Sequence, residues 1–448
     1  LDIVAMIAIL ERKRSMTKLK NFEWFCPQPF MNTVINHDGA KKPCCVLKAW
    51  PGGRYSLDKS AESYPQDEMD VMDVHHTKFM KRFREEFMNA DKPTPLIDKH
   101  CLVCREQERL APTESHRLVY LDKFDEEHGE YREHTEALEE YIDTDMTKPF
   151  YLTMEYNAPN NFCNLKCHMC GPYNSSTFAK ENEALGLTEG KGMGSSWLNG
   201  RTWVNDEDDM DKYEDIIKNL IEMKLVGGET LALPQNYDMM DKAIDMGVSG
   251  QMRLVITTNA TLTPKMGKYG DIFDYVPHFK TCQMNISIEC WGEKNNYIRF
   301  PSKWELIMKN VKRFAEMPRT RILFATCVSS LNIGYLNEVA DGVDILQEET
   351  PDVYNDFATG SLVIGGANLY VVTAIPHDIR EQYLDKIYSV VKPHHTQTFM
   401  KLASYLTDME WDEELHSKMM IDVERRDKYR GTCLTDIFPE WKPYYGKL

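Results

Sequence analysis

The chain has 448 residues, 42% hydrophobic and 27% charged, the balance of an ordinary globular protein long enough for two or three domains of ~150 residues. Its formal charge of −17 repels phosphate and anionic lipid, which argues against a protein drawn onto nucleic acid or a membrane surface by charge. No run of ~18 apolar residues occurs, so no membrane-spanning helix is expected. The twelve cysteines cluster at spacings of two and three, which points to metal ligation in a reducing compartment, the cytoplasm, and away from a disulfide scaffold.

The apolar stretch Leu1 to Leu10 precedes the basic cluster Glu11-Arg12-Lys13-Arg14, the reverse of the order in a secretory signal. Residues 1–15 are therefore expected to be a non-native or disordered extension ahead of Met16. A first module is expected over 16–148. In it Asn36-His37-Asp38-Gly39 reads as a hairpin turn between Thr33-Val34-Ile35 and Pro43-Cys44-Cys45, with helices over 78–90 and 123–142. From 149 to 376 strands and helices alternate. Strands are expected at Phe150–Tyr156, Met223–Gly227, Met252–Thr258, Cys282–Glu289, Arg321–Val328 and Leu369–Ile375. Tyr173–Leu185, Tyr237–Met246, Lys303–Met317 and Tyr335–Leu346 read as the intervening helices. Six such units predict an α/β fold with a parallel sheet, an open (βα)6 sector resembling part of a TIM barrel, with its chemistry at the carboxyl ends of the strands. Residues 186–212, rich in Gly, Ser, Asn and Asp, read as a long loop. Residues 377–448 read as a helical carboxyl-terminal extension.

The sharpest chemical signal follows the first strand of the repeat: Cys163-Asn164-Leu165-Lys166-Cys167-His168-Met169-Cys170. Three thiolates so spaced can grip one face of an iron–sulfur cubane and leave one iron without a protein ligand. An open metal position is what a catalytic site keeps and a structural site closes. A zinc knuckle, or three unconnected buried cysteines, is the plainer alternative.

Cys-x-x-x-Cys-x-Met-Cys after a first barrel strand resembles the signature of the radical S-adenosylmethionine (SAM) superfamily. The resemblance implies that Cys163, Cys167 and Cys170 hold a [4Fe-4S] cluster whose open iron binds SAM, and that Met169 belongs to the cofactor site. It implies reductive cleavage of SAM and abstraction of a hydrogen atom from substrate. Gly227-Gly228-Glu229 resembles the family motif that holds the amino group of SAM. Asn259 resembles a residue lining the cofactor site. Ser287 and Arg299 resemble residues that contact the SAM carboxylate, with Glu289 at the ribose or the substrate. Read without the resemblance, the glycine pair and Asn259 are turn residues, and Arg299 is a surface ion pair.

Cys26, Cys44, Cys101 and Cys104 form a second soft-ligand set, in which Cys45 could replace Cys44; it suits zinc or an iron–sulfur cluster. Cys-Pro-x-Pro-Phe … Asp-Gly … Pro-Cys-Cys resembles the SPASM/twitch modules that bind an auxiliary [4Fe-4S] cluster, here placed before the barrel. The resemblance implies an oxidoreductase acting on a peptide or protein, with a low-potential ferredoxin or flavodoxin as electron donor. A sugar-like small-molecule dehydrogenase or epimerase is the second expectation, and a non-catalytic, zinc-stabilised binding protein the third. Cys282, Cys290, Cys327 and Cys433 read as small buried hydrophobes. His75-His76 and His394-His395 read as surface pairs without ligand partners. The tail from Arg425-Arg426 to Trp441 has no chemical reading.

Overall fold

The computed structural model describes residues 24–36, 41–47, 78–89, 93–110, 115–125, 128–144, 146, 150–158, 160–172, 174–187, 210–351, 353–362, 369–390 and 392–447. The expected extension 1–15, the tip of the hairpin turn, His75-His76 and most of the 186–212 loop lie outside them. The chain divides into two compact units, Leu1–Asn157 with Asp208–Met223, and Ala158–Glu207 with Lys224–Leu448.

In the first unit β1 (Asn32–Ile35) pairs antiparallel with β2 (Lys41–Lys42), so the returning arm lies just ahead of Pro43-Cys44-Cys45, where it was expected, and those three residues are not a strand. Helices follow at α1 (Lys78–Asn89), α2 (Pro95–His100), α3 (Leu102–Leu110), α4 (His116–Asp122) and α5 (Thr135–Ile142). On α1, Met80, Phe83 and Phe87 recur at helical spacing and are fully buried, packing with Phe25, Phe30, Ile97, Leu118 and Phe124 into one core. Thr94 caps α2 by accepting from Ile97 N at 3.3 Å, and Ser115 caps α4 by accepting from Leu118 N at 3.1 Å. The helix expected over 123–142 begins only at α5, because the chain first makes a turn in which Tyr131 N donates to Lys123 O at 2.6 Å. One pairing was not legible in the sequence: β1 lies parallel to β3 (Thr153–Asn157), with Asn32 opposite Thr153 and Ile35 opposite Tyr156.

In the second unit α6 (Ser176–Ala184) follows the cysteine loop. The strands β4 (Glu222–Val226, which enters this unit at Lys224), β5 (Arg253–Thr258), β6 (Thr281–Ser287), β7 (Thr320–Val328) and β8 (Tyr354–Leu362) lie side by side in chain order. β5, β6, β7 and β8 run parallel, with Leu254 opposite Cys282 and Cys282 opposite Thr320. The connecting helices are α7 (Pro234–Asp245), α8 (Glu293–Ile298), α9 (Trp304–Ala315) and α10 (Leu336–Glu349). Ile307, Val311 and Phe314 on α9, and Val339, Val343 and Leu346 on α10, form the buried stripes expected of helices covering a sheet. The α/β class and the parallel strands therefore hold.

The sixth strand was misplaced. Leu369–Ile375 is not a strand; its centre, Val372–Ala374, is a single 3-10 turn, and the strand that pairs with β7 is β8. The carboxyl-terminal residues are helical as expected, in α11 (His377–Val390), α12 (Thr396–Asp408) and α13 (Glu413–Arg430). They share a compact unit with the strands β5 to β8. Among the described residues no helix is long and apolar enough to cross a membrane.

Candidate active site

Beyond β3 the chain runs without regular secondary structure from 160 to 172, and this loop carries the cysteine triplet. Its backbone is fastened on three sides. Ser175, the cap of α6, donates to Leu165 O at 2.6 Å, and Thr177 Oγ1 donates to Cys163 O at 3.0 Å. Lys166 N donates to Phe300 O at 2.8 Å and His168 N to Ile298 O at 2.9 Å. Glu229 N donates to Phe162 O at 2.7 Å. Gly228, at φ +50°, lies so close that an added Cβ would sit 2.2 Å from Phe162 O. The close approach that the glycine pair permits is thus, first of all, to the cysteine loop itself.

Cys163 and Cys167 are buried, and they pack with Leu165, Met169 and Cys170. Burial raises the pKa of all three thiols, that of Cys170 to about 12, and the neighbouring sulfur of Cys167 adds to the rise at Cys163 and Cys170. Thiols in this setting ionise at neutral pH only against a metal, which suits a ligand set. Among the described residues, the trios of ligand atoms gathered mutually within 4.8 Å are Cys44–Cys45–His116 and Asp344–His394–His395.

The strand ends bring the other expected residues to this loop. Glu229, beyond β4, is buried, which raises its pKa; its carboxylate accepts from Thr258 Oγ1 at 2.5 Å, Asn259 N at 2.9 Å and Leu231 N at 3.2 Å. It ties the end of β4 to the end of β5. Asn259 donates from Nδ2 to Asn164 Oδ1 at 3.0 Å and reaches Cys163 Sγ at 3.9 Å. Ser287 is the last residue of β6 and is half-buried.

Arg299 is not on the surface. It forms a buried ion pair with Glu289, Nη1 to Oε1 at 2.5 Å, and the other oxygen of Glu289 accepts from Cys327 N at 2.8 Å. Burial works against the charge on Arg299, but Cys167, Glu289 and Cys163 hold its pKa above the ordinary value. Its Nε is buried with no hydrogen-bond partner among the described residues, so a donor remains for a ligand carboxylate. Gly227 and Gly228 both adopt positive φ at the mouth of β4.

Several residues here escaped the sequence. Cys327, read above as a small core residue, is half-buried at the end of β7, against Glu289 and electrostatically coupled to Arg299 and Cys170. Behind the loop, Arg430 on α13 donates to Lys166 O at 2.7 Å, to Glu181 at 2.6 Å and to His168 Nε2 at 3.0 Å. A guanidinium only donates, so Nε2 accepts and Nδ1–H donates to Tyr370 Oη at 2.9 Å; that hydroxyl in turn donates to Asp422 at 2.7 Å. Burial, then Arg430 and Arg426, push the His168 pKa well below its usual value, so the ring is neutral. Arg426 joins Asp422 to Glu181, and Lys166 completes the set at 3.0 Å. The available signal was Asp422, Arg426 and Arg430 at four-residue spacing on one helix face.

The first unit holds a separate cavity lined by Cys26, Cys44, Cys101, Cys104, His116 and Arg117, so the four expected auxiliary ligands do converge. Burial pushes the thiols of Cys26 and Cys104 up, to about 12 and about 11, and also raises Cys101. The hydrogen bond with Cys45, followed by burial, raises Cys44. His116 Nε2 lies 3.5 Å from Cys45 Sγ, a contact that no sequence spacing announced. Cys282 and Cys290 are buried as expected, while Cys433 is half-buried. His394 and His395, expected to lack partners, both meet Asp344.

The site thus belongs to a parallel α/β protein that gathers three thiols, two of them buried, a glycine pair and a Glu–Arg pair at the carboxyl ends of its strands. Residues 157–341, which hold all of these groups, match the family model described as Radical SAM superfamily. A domain of that superfamily implies an enzyme with a [4Fe-4S] cluster and SAM. No curated protein matches the chain. Among solved structures, the crystal structure of Streptococcus suis SuiB bound to S-adenosylmethionine matches with 15% identity and a TM-score of 0.31, over 60% of this chain and 49% of that one. The chain spans about half the length of that protein.

Proposed function

We propose that the chain is a radical SAM oxidoreductase that reductively cleaves SAM and removes a hydrogen atom from a peptide or protein. The observation that carries this reading is the fastened loop of three thiols, two of them buried and all packed together, inside the segment that matches the Radical SAM superfamily. Cys163, Cys167 and Cys170 hold the [4Fe-4S] cluster, with Met169 and Asn259 against it. When bound, the cluster supplies the electron that splits SAM and so generates the radical that attacks the substrate. The protein's own residues bind and orient. The turn at Gly227, Gly228 and Glu229 offers backbone groups to the SAM ammonium. Ser287 and the unpartnered Nε of Arg299 face its carboxylate, while Glu289 fixes the guanidinium. Leu165 packs against Cys163 and Cys167 and shields those two thiols from solvent.

In the first unit Cys26, Cys44, Cys101 and Cys104 hold an auxiliary [4Fe-4S] cluster of the SPASM/twitch kind. A single zinc on Cys44, Cys45 and His116 is the second reading of that cavity, favoured by the 4.8 Å gathering of those three atoms. The electron donor is a low-potential ferredoxin or flavodoxin, and the compartment the reducing cytoplasm. Anaerobic reconstitution tests the reading. It should yield about eight irons per chain if both sites hold cubanes, or four if the first unit holds zinc, and 5′-deoxyadenosine on reduction with SAM. Cys167→Ala should abolish that product. Undiminished cleavage in this variant, or zinc alone at the triplet, overturns the assignment.

A further inference from the structure

A third group of metal-competent side chains lies in the second unit and contains no cysteine. Asp344 sits on α10, and His394 and His395 are consecutive in the 3-10 turn Pro393–His395 that leads into α12. Both imidazoles aim the same nitrogen at the same oxygen: His394 Nε2 and His395 Nε2 lie 3.1 and 2.9 Å from Asp344 Oδ1. The two rings stand 4.1 Å apart, centroid to centroid. The other carboxylate oxygen is held by Lys392 Nζ at 2.6 Å, and that ammonium also pairs with Asp341 at 2.9 Å. Burial alone would raise the Asp344 carboxyl, but hydrogen bonds from Lys392, His394 and His395 bring it down to about 2, so it is ionised at neutral pH.

We infer that Asp344, His394 and His395 bind one divalent transition-metal ion of the zinc class. All three ligand atoms lie within 4.8 Å of one another. Bonds of 2.0–2.2 Å at tetrahedral to right angles set neighbouring ligand atoms about 2.9–3.4 Å apart, which is the spacing already present between the carboxylate and each imidazole. An ion enters by taking the two Nε2 lone pairs, each ring then carrying its proton on Nδ1. Lys392 supplies the hydrogen bond that orients a ligating carboxylate, and Asp341 offsets its charge. Two imidazoles with one carboxylate select zinc, cobalt, nickel or copper over calcium and magnesium, which take oxygen ligands. His395 is buried while the His394 side chain is 58% exposed, so the ion has a route in from solvent. The bound ion clamps α10 to the connection between α11 and α12. None of this depends on what the cysteine sets hold.

The test loads full-length protein with Zn2+ under anaerobic conditions, removes loose metal by gel filtration, and counts zinc in wild type, His394→Ala and Asp344→Asn. His394→Ala changes a largely exposed ring and keeps the fold. Each variant should retain one zinc fewer per chain than wild type, whatever the cysteines carry. The zinc-edge X-ray absorption difference between wild type and His394→Ala should show nitrogen and oxygen at about 2.0–2.2 Å and no sulfur at about 2.3 Å. Equal zinc content in wild type and both variants, or a sulfur-only difference, overturns the site and leaves hydrogen bonds alone at Asp344.

Discussion

At the scale of single residues, Gly228 shows how closely the turn after β4 and the cysteine loop are built together. Its φ of +50° lies where an L side chain is strained, and the site of an added Cβ is 2.2 Å from backbone Phe162 O. The neighbouring Glu229 N donates to that same carbonyl. Gly228→Ala must therefore displace either the loop or the end of β4. We expect a loss of about 1–3 kcal/mol, the usual cost of a residue forced into a sparse backbone region, read as a lower urea midpoint. Iron retention should fall with it, because the loop that moves carries Cys163. An unchanged midpoint and full iron content would show that the approach to Phe162 is not a constraint. The glycine pair was visible in the sequence, but its packing against Phe162 was not, since spacing says nothing about which backbone a strand end will meet.

At the scale of elements, α13 is the support behind the loop. One face presents Asp422, Arg426 and Arg430 at successive helical turns: Asp422 accepts from Arg426, both arginines donate to Glu181 on α6, and Arg430 also reaches His168 and Lys166 O in the loop. Two variants grade that support. Arg430→Ala removes a buried cation that holds both Glu181 and the loop carbonyl, and breaking a buried pair of this kind costs about 3–5 kcal/mol. Tyr370→Phe removes one hydroxyl between His168 and Asp422, and Asp422 keeps Arg426, so about 1–3 kcal/mol is expected. Chemical denaturation should rank them in that order; equal midpoints for both variants and wild type would show that the helix merely abuts the loop.

The elements also show why part of the fold was legible and part was not. Strands β4 to β7 announced themselves by apolar runs ending at turn residues, and α9 and α10 by helical periodicity. Leu369–Ile375 reads as a better strand than Tyr354–Leu362, which contains Asn, Asp, Gly and Ser. The order is reversed in the structure because Arg380 donates to the carbonyls of Val372, Thr373 and Ile375, groups that a strand would turn to its neighbour. That arginine stands only five to eight residues further along the chain, but apolar and β-branched content does not show which carbonyls its guanidinium will take.

At the scale of the whole molecule, the division of labour between the two units becomes a question of separable losses. The triplet and its strand-end partners lie in the second unit; the cavity of Cys26, Cys44, Cys101 and Cys104 lies in the first, beside the core of Phe25, Phe30, Phe83 and Phe87. Cys101 caps the end of α2 and Cys104 lies in the first turn of α3; Cys101 is only partly buried where it packs against that core, and serine nearly keeps its size, so Cys101→Ser removes a ligand with little loss of packing. If the first unit holds its own metal, Cys101→Ser should lower the metal content of the chain by one site. The three thiols of the second unit should keep theirs, and some 5′-deoxyadenosine should still form on reduction with SAM. Under the proposed function, turnover of the substrate should fall more than SAM cleavage, because a fully ligated cluster in the first unit would have no open iron for SAM and would act after or beside the cleavage step. Metal analysis and the two product assays on one preparation decide the matter. Loss of cleavage in strict proportion to the lost metal would mean that the cavity of the first unit supports the catalytic loop and has no task of its own.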